Sequence, residues 1–229
     1  MRPFPLPLVG LRGVLPVGTA GGSVCANGIH DLSHHVPGRA AREFEQAWKA
    51  RDKGALEKAA HHFEAAIAID PEFCAALNDL GTTYLKLDKL DNAIEQFNSA
   101  IAVDAHEAMP YSNLALAYLK RNQYSAATHL ARQAVALDQT LAHGLLILGA
   151  SLVLDHKFTA EAERSLTRAA DEFAQADYWL AVGLVVKGDL PAARDHLRQY
   201  LASGDKTAVN AVKSLLERLE HTGEASLVR

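Results

Sequence analysis

Apolar and small residues in this chain recur at helical spacing in short paired runs. From Cys74 to Glu107, Leu77, Leu80, Gly81 and Tyr84 fall on one helical stripe, and a break follows around Asp88 to Asp91. A second stripe then carries Ala93, Phe97, Ala100 and Ile101. The pattern predicts a helix, a tight turn and an antiparallel helix. The same pattern returns with a fixed phase. Leu80, Leu114 and Leu148 stand 34 residues apart, as do Gly81, Ala115 and Gly149, then Ala59, Ala93 and Ala127, then Ala66, Ala100 and Ala134. Asp70, Asp104 and Asp138 close successive copies. An irregular helical bundle has helical periodicity but no reason to keep such a phase, so the pattern predicts stacked copies of one helix pair. Small residues are expected where the two helices of a copy cross, because larger ones would force the backbones apart.

The Leu77–Leu80–Gly81–Tyr84 run, followed by Ala93 and Phe97, resembles the tetratricopeptide repeat, whose signature is W-x2-L-G-x2-Y, then A-x3-F, then P. Leu77 takes the place of the Trp and Ala105 that of the Pro. The resemblance implies an all-α, right-handed superhelical solenoid of helix-turn-helix repeats with a C-terminal capping helix. The repeats are expected at about 40–73, 74–107, 108–141, 142–173 and 174–205, within a domain spanning 39–220. The first repeat lacks the Leu-Gly pair and has Gln46-Ala47 there, as suits an end repeat. In the third, Ala131 stands at the Phe position. The fourth slips by one residue in the turn DHKFTAE and has a short second helix; the fifth carries Trp179 beside the aromatic position. The cap is expected at 206–220, opened by Asp205 and with Val209, Val212, Leu215, Leu216 and Leu219 on one side. Residues 221–229 form a tail.

Residues 1–38 differ from the rest. They hold five of the eight prolines, so a helix is not expected there. Arg2, the apolar run to Val17 and the small residues ending at Ala26 imitate a secretory signal, although Arg12 and four prolines interrupt the apolar stretch. A cytoplasmic protein with a linker-like leader and an exported one cleaved after residue 26 are both consistent with it. A net charge of −4 with no large basic block argues against sequence-independent nucleic-acid binding. No run of about 18 apolar residues occurs, so no membrane-spanning helix is expected. Two cysteines, Cys25 and Cys74, make neither a disulfide framework nor a metal knuckle. His30, His34 and His35 have no partner at ligand spacing, and the adjacent His61 and His62 would point apart on a helix, so no metal site and no cofactor are expected.

In the repeat family the first helix of each copy lines an inner groove through four positions. Carried onto this chain, the resemblance places Phe44 and Trp48 there, then Asn78, Thr82 and Leu85, then Ser112, Leu116 and Leu119, and Tyr178 in the fifth repeat, with Lys86, Asn113 and Lys120 alongside. An apolar surface with a polar strip suits an extended partner segment, with apolar anchors and backbone hydrogen bonds. It suits equally the chain's own N-terminal segment. Some family members clamp a partner's terminal carboxylates with Lys and Asn from three repeats. Here only Asn113 matches that set, and Phe44, His143 and Ile147 occupy the basic positions. The expected function is therefore a non-catalytic scaffold for a protein or peptide partner, with an exported envelope assembly factor as the alternative. Hydrolase, zinc-protease and phosphate-loop motifs are missing from the chain, which disfavours an enzyme.

Overall fold

The computed structural model describes residues 36–227, with side chains to His221. The readings of the leader, its prolines and its histidines lie outside these residues. Eleven α-helices and no strand occur among the described residues, and the fold is an all-α helical repeat. The helices are α1 (Gly38–Asp52), α2 (Leu56–Ile69), α3 (Cys74–Lys86), α4 (Leu90–Val103), α5 (Ala108–Lys120), α6 (Tyr124–Leu137), α7 (Ala142–Leu154), α8 (Ala160–Ala169), α9 (Gln175–Lys187), α10 (Leu190–Ala202) and α11 (Val209–Leu227). The chain divides into two compact bodies, one ending at Gly144 and the other beginning at Leu145. Among the described residues, no helix is long and apolar enough to cross a membrane.

In the N-terminal body, α1 pairs with α2, α3 with α4 and α5 with α6, while α2 packs on α3 and α4 on α5. The pairing depends on the small residues. A Cβ placed on Gly81 would lie 2.5 Å from Cε1 of Phe97, a ring that is itself fully buried and has no room to retreat. In the next repeat Ala115 carries a Cβ, and there the facing position is Ala131 in place of a Phe; both are fully buried. In the C-terminal body the same crossing pairs Gly149 with Leu166, whose Cγ would meet a new Cβ at 2.3 Å. Gly183 admits the Phe158 ring in the same way, at 2.2 Å. The first repeat has Ala47 and Phe63 at the positions of Gly81 and Phe97, both fully buried.

Every turn inside a repeat has the same form. Gly54, Asp88, Asn122, His156 and Gly188 all take positive φ, from 57° to 88°. Each terminates the first helix, and the following amide reaches back to the last turn: Ala55 N to Ala50 O, Lys89 N to Tyr84 O, Gln123 N to Tyr118 O, Lys157 N to Leu152 O and Asp189 N to Leu184 O, all at 2.9 Å. Asp and Asn tolerate this left-handed conformation through local polar contacts, glycine adopts it freely, and histidine is the least suited of the set. Between repeats, the Asp70, Asp104 and Asp138 carboxylates accept the amides of Glu72, His106 and Thr140 at 3.3, 2.9 and 2.8 Å. These turns stop the second helix and redirect the chain, which explains why aspartate recurs in phase.

The fourth repeat departs as its sequence suggests. Five residues, 155–159, link α7 to α8, against three in each of the repeats before it, and α8 is only ten residues long. The extra length supplies Thr159, whose hydroxyl accepts the Ala162 amide and caps α8.

The cap differs from expectation. Its helix begins at Val209, and Asp205 does not cap it. Asp205 instead ties a turn together: its carboxylate accepts from the Tyr200 hydroxyl at 2.5 Å, the Thr207 amide at 2.7 Å and Gln175 Nε2 at 2.8 Å. The Tyr200 hydroxyl in turn accepts from the Ala208 amide at 2.7 Å. Val212, Leu215 and Leu219 are buried against the body, and α11 packs on α10. The helix continues past 220 to Leu227, into the stretch expected as a tail.

Two measurements check this account. Gly81→Ala is expected to cost about 1–3 kcal/mol in urea unfolding, and most of that cost is expected to disappear in a Phe97→Ala background because the two positions share one contact. His156→Gly, by relieving a left-handed histidine, is expected to stabilise by about 0.5–1 kcal/mol, read as a raised unfolding midpoint.

Candidate partner-binding site

The predicted site residues fall on the first helices of the repeats, where their environments differ. On α1, Phe44 and Trp48 are half-buried. Phe44 is a packing residue, its ring centroid 4.8 Å from that of Phe73 and 5.5 Å from that of Phe63. On α3, Asn78, Thr82 and Leu85 are buried while Lys86 is exposed. On α5, Ser112, Asn113, Leu116 and Leu119 are buried, and Lys120 is half-buried. Tyr178, in the C-terminal body, is also buried, and its ring stands edge-on to the fully buried Trp179 at 5.4 Å. Thr82, Ser112 and Leu116 have no exposed surface at all.

The polar strip is arranged as a ladder between neighbouring first helices. Asn113 Nδ2 donates to Asn78 Oδ1 at 3.0 Å, joining α5 to α3. One step on, Ser112 Oγ and His143 Nδ1 share a hydrogen bond of 2.7 Å between α5 and the start of α7. Asn78 and Asn113 stand 35 residues apart, one place off the 34-residue period, whereas His143 is 31 residues beyond Ser112, near the start of its helix. Asn113 Oδ1 is buried with no hydrogen-bond partner among the described residues. A desolvated amide oxygen of this kind costs about 1–3 kcal/mol unless something donates to it.

A charged cluster that the sequence does not signal lies at the α1 end. The Arg51 guanidinium stacks 3.8 Å above the Trp48 ring and stands 3.6 Å from the Asp79 carboxylate. Burial pushes the Asp79 carboxyl up to about 6, against the opposing pull of Arg51 and the Trp48 indole. Burial, with Arg51 close by, also lowers the pKa of the Lys86 ammonium. Arg51 Nη1 and Trp48 Nε1 are buried without a well-formed hydrogen bond among the described residues. Position 51 faces inward in the repeat pattern, but nothing in the sequence indicates that Asp79, at a different place in the next copy, meets it. Arg51 is thus engaged with an internal carboxylate. Cys74, the first residue of α3, is buried and disulfide-bonded.

The comparisons with known proteins agree with the architecture. A family model described as tetratricopeptide repeat matches residues 62–95, which run from α2 through α3 into α4. The fold is shared with a crystal structure of MamA, at 22% identity and TM-score 0.58, covering 71% of this chain and 96% of that one. It is shared also with TTC0263, a thermophilic tetratricopeptide-repeat protein of Thermus thermophilus, at 20% identity and TM-score 0.63, covering 79% and 98%. A third similar structure is YrrB, described as a tetratricopeptide-repeat protein with an unusual peptide-binding site, at 19% identity and TM-score 0.57, covering 76% and 92%. No curated protein matches the chain. The chain carries a tetratricopeptide repeat, and its fold is that of tetratricopeptide-repeat proteins.

The Asn78–Asn113 bridge has a measurable signature. Asn78→Leu alone is expected to cost about 1–3 kcal/mol, because it strips the Asn113 amide of its buried partner. The double variant Asn78→Leu/Asn113→Leu is expected to cost less than the two single changes added together, as determined by a double-mutant cycle in urea.

Proposed function

We propose that this protein is a non-catalytic interaction scaffold that holds an extended segment of a partner along the inner faces of α3 and α5. The observation that carries this reading is the buried, unpaired Asn113 Oδ1 within the Asn78–Asn113 and Ser112–His143 ladder. An extended peptide offers backbone N–H groups at regular spacing, and one placed against Asn113 would satisfy that oxygen. Leu85, Leu116 and Leu119 flank the ladder and supply apolar contact for alternate side chains. With Arg51 committed to Asp79, recognition rests on apolar anchors and backbone hydrogen bonds. The YrrB description gives a structure of this fold a peptide-binding site, which supports the same use here.

Selection from a phage-displayed random peptide library on the full chain tests the reading, with fluorescence titration of a selected peptide as the readout. Selected sequences are expected to be apolar and poor in acidic residues. Leu116→Asp is expected to weaken binding by on the order of tenfold or more, since it buries an unpaired carboxylate. Leu119→Ala, a milder change for a chain that must stay folded, is expected to weaken it about threefold to tenfold. Affinity is expected to change little between low and moderate salt. Unaltered binding by both variants, or a steep loss with salt, would count against the groove.

A further inference from the structure

Two positions can be matched in all five copies, one three places before the Leu of the Leu-Gly pair or what stands for it, and one three places after the crossing alanine. In the second, third and fourth copies they hold Leu77 and Gln96, Tyr111 and Leu130, and Leu145 and Ser165. In the first and fifth they hold a carboxylate and a histidine instead: Glu43 with His62, and Asp177 with His196. Each of these two pairs is joined by a part-buried hydrogen bond of 2.8 Å at the histidine Nδ1, which ties the second helix of the copy to the first. The pair in the fifth copy is the more enclosed: the Asp177 side chain keeps 14% of its surface exposed, against 37% for Glu43. Asp177 also lies in the first turn of α9, where the helix dipole favours a negative charge.

We propose that the Asp177–His196 bond is a pH-responsive latch on the C-terminal helices, closed while the imidazole carries its second proton and released as pH rises past neutrality. A protonated ring makes a charge-assisted bond to Asp177, whereas a neutral ring keeps an ordinary hydrogen bond and loses the ionic attraction. The surroundings of the ring favour the proton. The hydrogen bond to Asp177 holds His196 above its ordinary range, with Gln199 and the Asp195 carboxylate of α10 acting in the same direction and burial opposing them. The helices packed on α10 are α9 and α11. From α9 comes Asp177 itself, while Lys187, at the far end of that helix, reaches Glu163 at 3.4 Å. From α11 the Glu220 carboxylate accepts from Arg198 at 3.4 Å, and Arg198 also donates to Asp195 at 3.5 Å. A histidine raised in this way stabilises the fold fully below its unfolded value of about 6.5, and that contribution disappears as pH climbs through the folded value.

The latch acts where opening costs least. Copies in a repeat array hold one another by nearest-neighbour contacts, and beyond the fifth copy there is only α11. That helix is fastened to α10 by the Arg198–Glu220 pair and by the turn in which Tyr200 donates to Asp205. Loosening α10 from α9 therefore loosens α11 with it. The apolar pairs of the middle copies carry no such charge, so the response is confined to a copy whose local opening leaves the rest of the array stacked.

The test has to be local, because the Asp79 and Glu107 carboxyls of the N-terminal body, pushed up by burial to about 6 and about 7, change charge over the same range. Hydrogen exchange of the full chain, read by mass spectrometry as protection factors for peptides from α10 and α11, supplies that. Between about pH 6 and about pH 8.5, protection there is expected to fall on the order of twofold to fivefold, the range of a partly exposed charge pair. Two mild variants are expected to abolish the fall: His196→Gln, which installs the residue type of position 96, and Asp177→Asn, which keeps the shape and removes the charge. The His196 ring titration, followed by NMR, is expected to move to lower pH in Asp177→Asn. Protection of α10 that does not change with pH in the wild type would overturn the proposal. So would a fall retained by both variants, with circular dichroism showing them folded, or a His196 titration that Asp177→Asn leaves in place.

Discussion

The close crossing of the two helices inside each repeat is the contact on which the other features depend. Gly81 lets the Phe97 ring lie against the α3 backbone, and Gly149 does the same for Leu166. The two helices can then approach closely enough for a three-residue turn to join them. In the third copy the ring is replaced by Ala131 and the glycine by Ala115, and both are fully buried. A repeat protein has no single core to absorb a misfit, because each copy buries its face only against its neighbours. Size complementarity at this one point therefore sets the register in which every further copy adds.

That register determines what the first helices present. With copies stacked in phase, side chains one period apart become neighbours, and polar residues that would be isolated on a single helix can pair. Asn78 with Asn113, close to one period apart, is such a pair, and Ser112 with His143 links the next two first helices. They allow a polar strip to be buried among leucines at modest cost, since nearly every buried donor and acceptor in it has a partner. The exception is Asn113 Oδ1, an acceptor held in a desolvated place by helices that cannot shift without breaking their crossings.

Charge plays a smaller part. The Arg51–Asp79 pair is buried against Trp48, and the carboxyl responds by taking up a proton more readily than a free aspartate. A pair of this kind fixes the packing of the first repeat on the second rather than attracting a ligand. At the other end of the chain, Asp205 gathers Tyr200, Thr207 and Gln175 around one carboxylate and sets the direction in which α11 leaves.

The helix pairs, their 34-residue phase, the extra turn residue of the fourth repeat and the small residues at the crossings were all legible in the sequence. Each is local, or repeats often enough for periodicity to expose it. The aspartates closing the repeats were legible too, though their role in the turns needed the backbone geometry. What the tertiary structure alone decided was which inward-facing positions meet. Asp79 meets Arg51 from a different place in the next copy, and Asp205 serves a turn instead of capping a helix. Burial of the inner faces of α3 and α5 was equally out of reach. Periodicity assigns a residue to a face, but only packing shows what lies against that face, because burial depends on segments far away in the chain.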